Sequence, residues 1–178
     1  MMTEKKQYIL AAALDLFSRQ GINKTTTAEI AQTAGVSEGL VFRHFQHKQG
    51  LVDTLWEQCQ NHVAQHCQPL LQSSLPPRNA LQQIMSLPFD LKTADFPFWK
   101  VLYRLTWHYP ADRPSPLELL RIRLENIFSV LGHTDAAAEA QTVLMILDGV
   151  VLSRLYRTLP GRETLRRCLL EKYDLDEW

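Results

Sequence analysis

The feature that most constrains this chain is the spacing of its apolar side chains. They recur every three to four residues almost throughout, and no alternating β-branched run bounded by turns is found. A first helix is expected over about residues 4–20, with Ile9, Ala13, Leu16 and Phe17 on one face and a stop at Gly21. Thr26 and Glu29 have the spacing of a capping box, which starts a short helix through Ala34. Gly35 breaks it, and Ser37 is placed to cap a third helix reaching about His44. A long helix from about Lys48 to Leu71 follows. Pro76-Pro77 opens another that closes near Pro88, and an aromatic-rich helix over 95–109 ends at Pro110. Ser115-Pro116-Leu117-Glu118 starts a helix ending at Gly132. Helices of about 135–158 and 161–173 complete the chain. About nine helices with short connections make an all-α protein.

Composition narrows the function classes. Lys+Arg and Asp+Glu both number 19 in 178 residues, which excludes a uniformly basic coat for polyanions. Three cysteines are too few for a disulfide framework and favour a reducing cytoplasm. Cys59 and Cys67, eight residues apart on one helix, would lie ~12 Å from each other, beyond bridging reach. Asp15 interrupts the apolar run that imitates a signal peptide, and no cleavage pattern follows. Val143 to Leu152 is too short for a bilayer and contains Asp148, so no membrane segment is expected. The phosphate-loop, dinucleotide, zinc-protease and serine-hydrolase motifs are absent, so no enzyme and no cofactor is expected.

The segment with most chemistry in it is 26–48. Two short helices flank a tight Ala34-Gly35-Val36-Ser37 turn, as in a helix-turn-helix. Ala31 is small where the helices approach, and Ile30, Val36 and Val41 converge on one core. The second helix would present Glu38, Gly39, Leu40, Arg43 and His44 outward to a major groove. The same spacing also suits a plain helical hairpin within a bundle. Residues 1–50 carry six Lys/Arg against four Asp/Glu, a net +2, and the remainder has 13 against 15. The neutral total therefore hides a slightly basic head, and few ionic contacts with DNA are expected.

Ile30-Ala31, Ala34-Gly35-Val36-Ser37, Gly39, Phe42, His44-Phe45 and Lys48-x-x-Leu51 together resemble the N-terminal domain of TetR-family transcriptional regulators. The likeness spans about residues 5–52. It implies a three-helix DNA-binding domain over 1–47 and a larger helical effector-binding and dimerisation domain over 48–178. It also implies that the third helix reads bases, with Thr25, Thr27 and Lys48 near phosphate and Ser37 and Phe42 among the DNA-binding residues. Arg43 would then pair with guanine, Glu38 with the cytosine amino group, and Leu40 with a thymine methyl. Phe42 stands where the family usually has tyrosine, Leu40 where it has threonine or serine, and His47 where a small capping residue is usual.

The remaining two thirds are expected to sense and to dimerise. On the 95–109 helix Lys100, Arg104 and His108 form one polar stripe, and apolar residues fill the other ~240°. Trp99, Tyr103 and Trp107, with Met85 and Phe89, are candidates to line a small-molecule pocket. Core packing explains the same residues. Thr142, Ile146, Gly149 and Ser153, with Leu165 and Leu169, are the candidate homodimer face, against the alternative of burial in one subunit. Cys59, His62 and His66, with Cys67 adjoining, share one helix face and suit a metal-responsive regulator. The leading expectation is a cytoplasmic repressor that binds a palindromic operator in double-stranded DNA and is released by an apolar or amphipathic ligand. The alternatives are a helical ligand-binding or interaction module with little specific DNA binding, and the metal-responsive regulator.

Overall fold

The computed structural model describes residues 3–106, 116–157 and 161–175. Among these there is no strand, and nine α-helices follow one another: α1 (Glu4–Gln20), α2 (Thr27–Ala34), α3 (Glu38–Phe45), α4 (Lys48–Leu71), α5 (Pro77–Asp90), α6 (Phe96–Thr106), α7 (Pro116–Val130), α8 (Ala136–Tyr156) and α9 (Arg162–Glu171). A single 3-10 turn at Thr93–Asp95 precedes α6. The expected helix at 95–109 is therefore divided at Asp95, and Trp107, His108 and the Ser115 cap lie outside the described residues. Pro88 does not close α5, which continues to Asp90. The guanidinium of Arg154 on α8 receives the freed end of that helix, donating to the carbonyls of Pro88 (2.6 Å) and Leu91 (2.7 Å).

The chain forms two compact units, which divide it differently from a cut after residue 47. One holds the residues up to His62 and those from Ala94 through α6. Its core is Ile9, Ala13 and Phe17 of α1, Ile30 and Ala31 of α2, Val41 and Phe45 of α3, and Leu51 and Leu55 of α4, all at most 5% exposed. Burying each large member contributes roughly 1.5–3 kcal/mol. On α6, Val101 and Leu105 are fully buried, and Arg104 donates to the Phe17 carbonyl at the end of α1. Arg104 thus belongs to the scaffold of α1 rather than to a solvated stripe.

The second unit holds Val63–Thr93 and the residues of α7, α8 and α9. Here Leu81, Ile84, Met85 and Phe89 of α5 meet a core that includes Leu124 and Phe128 of α7 and Val143 and Leu147 of α8. Arg166 of α9 pairs with Asp90 at 3.1 Å. Among the described helices α8 has the length and apolarity that a bilayer span requires. One of its faces (Ala140, Val143, Leu147, Val151, Leu155) is nevertheless buried within its own unit.

Candidate nucleic-acid interface

The α2–α3 pair is built by strong local signals. Thr26 caps α2: its hydroxyl accepts from the Glu29 N–H at 3.2 Å, and the Glu29 carboxylate accepts from the Thr26 N–H at 2.7 Å. That bond holds the Glu29 carboxyl below the usual carboxylate pKa. Gly35 takes φ 65°, ψ 36°, the left-handed conformation that ends a helix without a Cβ penalty. Val36 N–H then donates to Ala31 O at 3.0 Å, which tightens the turn. Val41 and Phe45 point into the core, and that fixes which face of α3 remains outside.

On that outer face Ser37, Glu38, Gly39, Phe42 and Arg43 are exposed, and Leu40 and His44 are half-buried. Arg43 makes no hydrogen bond or ion pair among the described residues, so its five donors are available. A Cβ on Gly39 would meet nothing within 4 Å, so this face is open at its start. Ser37 has the extended backbone of an N-cap but its side chain makes no capping bond. The hydroxyl expected to cap α3 is left facing outward. Phe42 is 44% exposed, an apolar ring beside polar neighbours.

Three expected phosphate ligands have other partners. Thr25 is 1% exposed, and its hydroxyl donates to Gly21 O at 2.8 Å. It closes the α1–α2 junction, and its side chain is withdrawn from the outer surface. Thr27 donates to Oε1 of Glu38 at 2.6 Å, tying the start of α2 to the start of α3. Lys48 Nζ donates to Ile22 O at 2.5 Å, which pins α4 to the α1–α2 loop while leaving the ammonium two further donors.

The joint between α3 and α4 goes beyond what the sequence announces. Gln46 has φ 63°, ψ −47°, and the His47 N–H donates to Phe45 O at 2.7 Å across it. This is a γ-turn of the positive-φ kind, a conformation that costs about 1–3 kcal/mol in a residue with a side chain. His47 substitutes for the usual small cap: its Nδ1 accepts from the Gly50 N–H at 2.9 Å. Gly50 passes so close to Phe45 that an added Cβ would lie 2.3 Å from its carbonyl oxygen. The Gln46 and Gly50 constraints together set the direction in which α4 leaves α3.

The other expected sites fare unevenly. Met85 and Phe89 are fully buried in the core of the second unit, and Trp99 is 4% exposed in the first, with Tyr103 half-buried near it on α6. Trp107 lies outside the described residues. An open cleft at the α7–α8 turn is lined by polar groups, among them His133, Asp135 and Glu139, and by none of those aromatics. Cys59 is buried, its thiol pushed up to about 12 by desolvation, and its Sγ faces the Phe98 carbonyl. The His62 ring stacks on Phe98 at 4.4 Å, and its Nε2 lies 3.5 Å from Asp95. His66 stands one turn further along α4. Cys67 is also buried, its thiol raised to about 11. Of the expected dimer residues, Thr142, Gly149 and Leu165 are exposed and Ile146 and Ser153 half-buried. Leu169, at 9% exposure, is turned into its own unit.

Comparisons with known proteins agree with this geometry. The family model described as "Bacterial regulatory proteins, tetR family" matches residues 9–55. The HTH-type transcriptional regulator AcrR of Shigella flexneri is 40% identical over 62 residues, which is 35% of this chain and 29% of that protein. The HTH-type transcriptional regulator BetI of Cronobacter sakazakii is 27% identical over 97% of this chain and 90% of its own length. The first of these likenesses thus spans under a third of its relative, and the second nearly all. Among solved structures, a TetR-family regulator, PfmR from Thermus thermophilus, superposes with a TM-score of 0.71 at 21% identity, covering 92% of this chain and 94% of that one. AibR in complex with isovaleryl coenzyme A and operator DNA gives 0.70 at 19% identity, covering 95% and 97%. At those identities the likeness concerns the fold.

Proposed function

We propose that this chain, whose residues 9–55 are a DNA-binding domain of the bacterial TetR regulatory family, is a cytoplasmic homodimeric repressor of transcription that a small ligand releases from a palindromic operator. The observation that carries the DNA-reading part is the outer face of α3. Its inward residues Val41 and Phe45 are locked in a core, while Arg43, Glu38 and the open Gly39 face solvent in a register suited to base edges. Lys48 and the hydroxyl of Ser37 would add phosphate contacts. DNase protection on genomic fragments tests this reading. A protected palindrome at low salt is expected, and uniform cutting at saturating protein would defeat it.

Arg43→Ala is expected to relax preference at one base position per half-site, at a cost of about 1–3 kcal/mol in discrimination. Lys48→Ala should weaken all sequences alike, read as equal ratios of dissociation constants on specific and random duplexes.

Dimerisation is supported by a stripe on α8. Thr142, Met145, Gly149, Leu152 and Tyr156 recur at alternating spacings of three and four and are all exposed, Met145 at 66%. Gly149 permits close approach of a second backbone. A single recognition helix reads only a few base pairs, so a two-fold pair would supply the missing specificity.

AibR holds isovaleryl coenzyme A as well as operator DNA, which makes a ligand-responsive role reasonable for the fold. Trp99 and Tyr103 of α6 remain the pocket candidates in the first unit, and Met85 and Phe89 in the second. Ligand would act by preferring a spacing of the recognition helices that misses successive major grooves, and only to the extent of that preference.

A further inference from the structure

We infer that Thr27 is a positioning residue for base recognition: its hydroxyl aims Glu38 so that each half-site must offer a cytosine amino group at one position. The inference rests on the DNA-reading role proposed for α3. Thr27 Oγ1 donates to Glu38 Oε1 at 2.6 Å, a short charge-assisted bond linking the first residue of α2 to the first of α3. Glu38 is exposed, and it lies in the opening turn of the recognition helix. With Oε1 held by Thr27, the orientation of Oε2 is set.

A carboxylate is a poor group to place near a duplex unless it is met by a donor. It is repelled by phosphates and cancels part of the anion attraction of the helix N-terminus. An ionised glutamate only accepts hydrogen bonds. In the major groove guanine offers N7 and O6 and thymine offers O4, all acceptors, so these bases would face it with like polarity. Adenine has an amino donor but an N7 acceptor adjoining it. Cytosine presents its N4 amino group with no neighbouring acceptor on the same base, and it suits a single directed oxygen best. The fixed carboxylate therefore selects by rejecting wrong bases as well as by pairing with the right one.

This assigns Thr27 a different task from a phosphate ligand. Without the hydroxyl, Glu38 would sample several rotamers, and the repulsion would be spread over neighbouring positions instead of concentrated on one. Serine keeps the donor; valine keeps the shape and removes it.

The test uses the full-length protein on a set of duplexes that vary one base pair at a time in its preferred site. Wild type is expected to lose roughly tenfold or more in affinity when the cytosine opposite Glu38 is replaced, the size of one good base contact. Thr27→Val should flatten that one position while leaving preferences elsewhere intact, Glu38→Gln should move it from cytosine towards adenine, which a glutamine amide pairs through both its oxygen and its nitrogen, and Thr27→Ser should keep it. Thr27→Ala, with the same expectation as valine, serves if the valine variant fails to fold. A uniform loss on every duplex in Thr27→Val would identify Thr27 as a phosphate ligand and overturn the inference. So would an undiminished cytosine preference. Failure of wild type to prefer any sequence would instead overturn the DNA-reading role itself, a distinct result.

Discussion

Gly50→Ala is expected to destabilise the reading head by about 3 kcal/mol, the upper part of the usual range for forcing an extra methyl into packed structure. The added Cβ would lie 2.3 Å from the backbone oxygen of Phe45, so relief cannot come from a flexible side-chain end. Either α3 or the start of α4 must move. The joint between them has little slack, because Gln46 is already in a strained γ-turn and the Gly50 N–H is held by His47. For a chain of this size the midpoint of thermal unfolding should fall by roughly 10 °C. Gly39→Ala is the informative contrast. A Cβ there meets nothing within 4 Å, and replacing a helical glycine should raise stability by about 0.5–1 kcal/mol. Equal midpoints for the two variants would refute the close approach at Phe45.

The second large effect concerns assembly. Met145→Glu with Leu152→Glu should convert the proposed dimer to a monomer and weaken operator binding by roughly a hundredfold or more, the scale at which linked sites exceed single ones. Both side chains are exposed in the protomer, at 66% and 40%, so the fold itself should persist. Across a two-fold axis the substitutions would bring four carboxylates into one interface, each requiring desolvation. Sedimentation and duplex titration on the same samples read the two consequences together. A variant that stays dimeric and keeps its affinity would place the interface elsewhere.

Legibility in the sequence followed the range of the forces involved. The α2–α3 turn was readable because its signals are local: the Thr26/Glu29 box, the left-handed Gly35 and the apolar positions Ile30 and Val41 each act within a few residues. The burial of Thr25 and the Thr27–Glu38 bond were not readable, because hydroxyl partners depend on how α1, α2 and α3 meet. The Gln46 turn carries no glycine to announce it, and the close approach of Gly50 to the Phe45 carbonyl emerges only once α3 and α4 are placed. Pro88 misled for a definable reason. Its missing N–H removes only the bond to the Ile84 carbonyl, so the helix runs on to Asp90, and Arg154, distant in sequence, donates to the carbonyls of Pro88 and Leu91 at its end. Between Val143 and Leu152 apolar residues cover nearly all sides of α8, so periodicity could not separate the buried Val143–Leu147–Val151 face from the outward Met145–Leu152–Tyr156 stripe. Leu169, whose spacing on α9 equally suits a dimer face, is turned inward.

The neutral overall charge makes one measurement decisive for the central claim, because bulk electrostatics gives this protein little help in holding DNA. Selection of bound duplexes from a random pool, at salt high enough to suppress non-specific association, should enrich a two-fold symmetric site. Its half-sites should lie about one helical turn, or a multiple of it, apart. Enrichment of no sequence, or of a single half-site without a symmetric mate, would contradict a dimeric reader built on the outer face of α3.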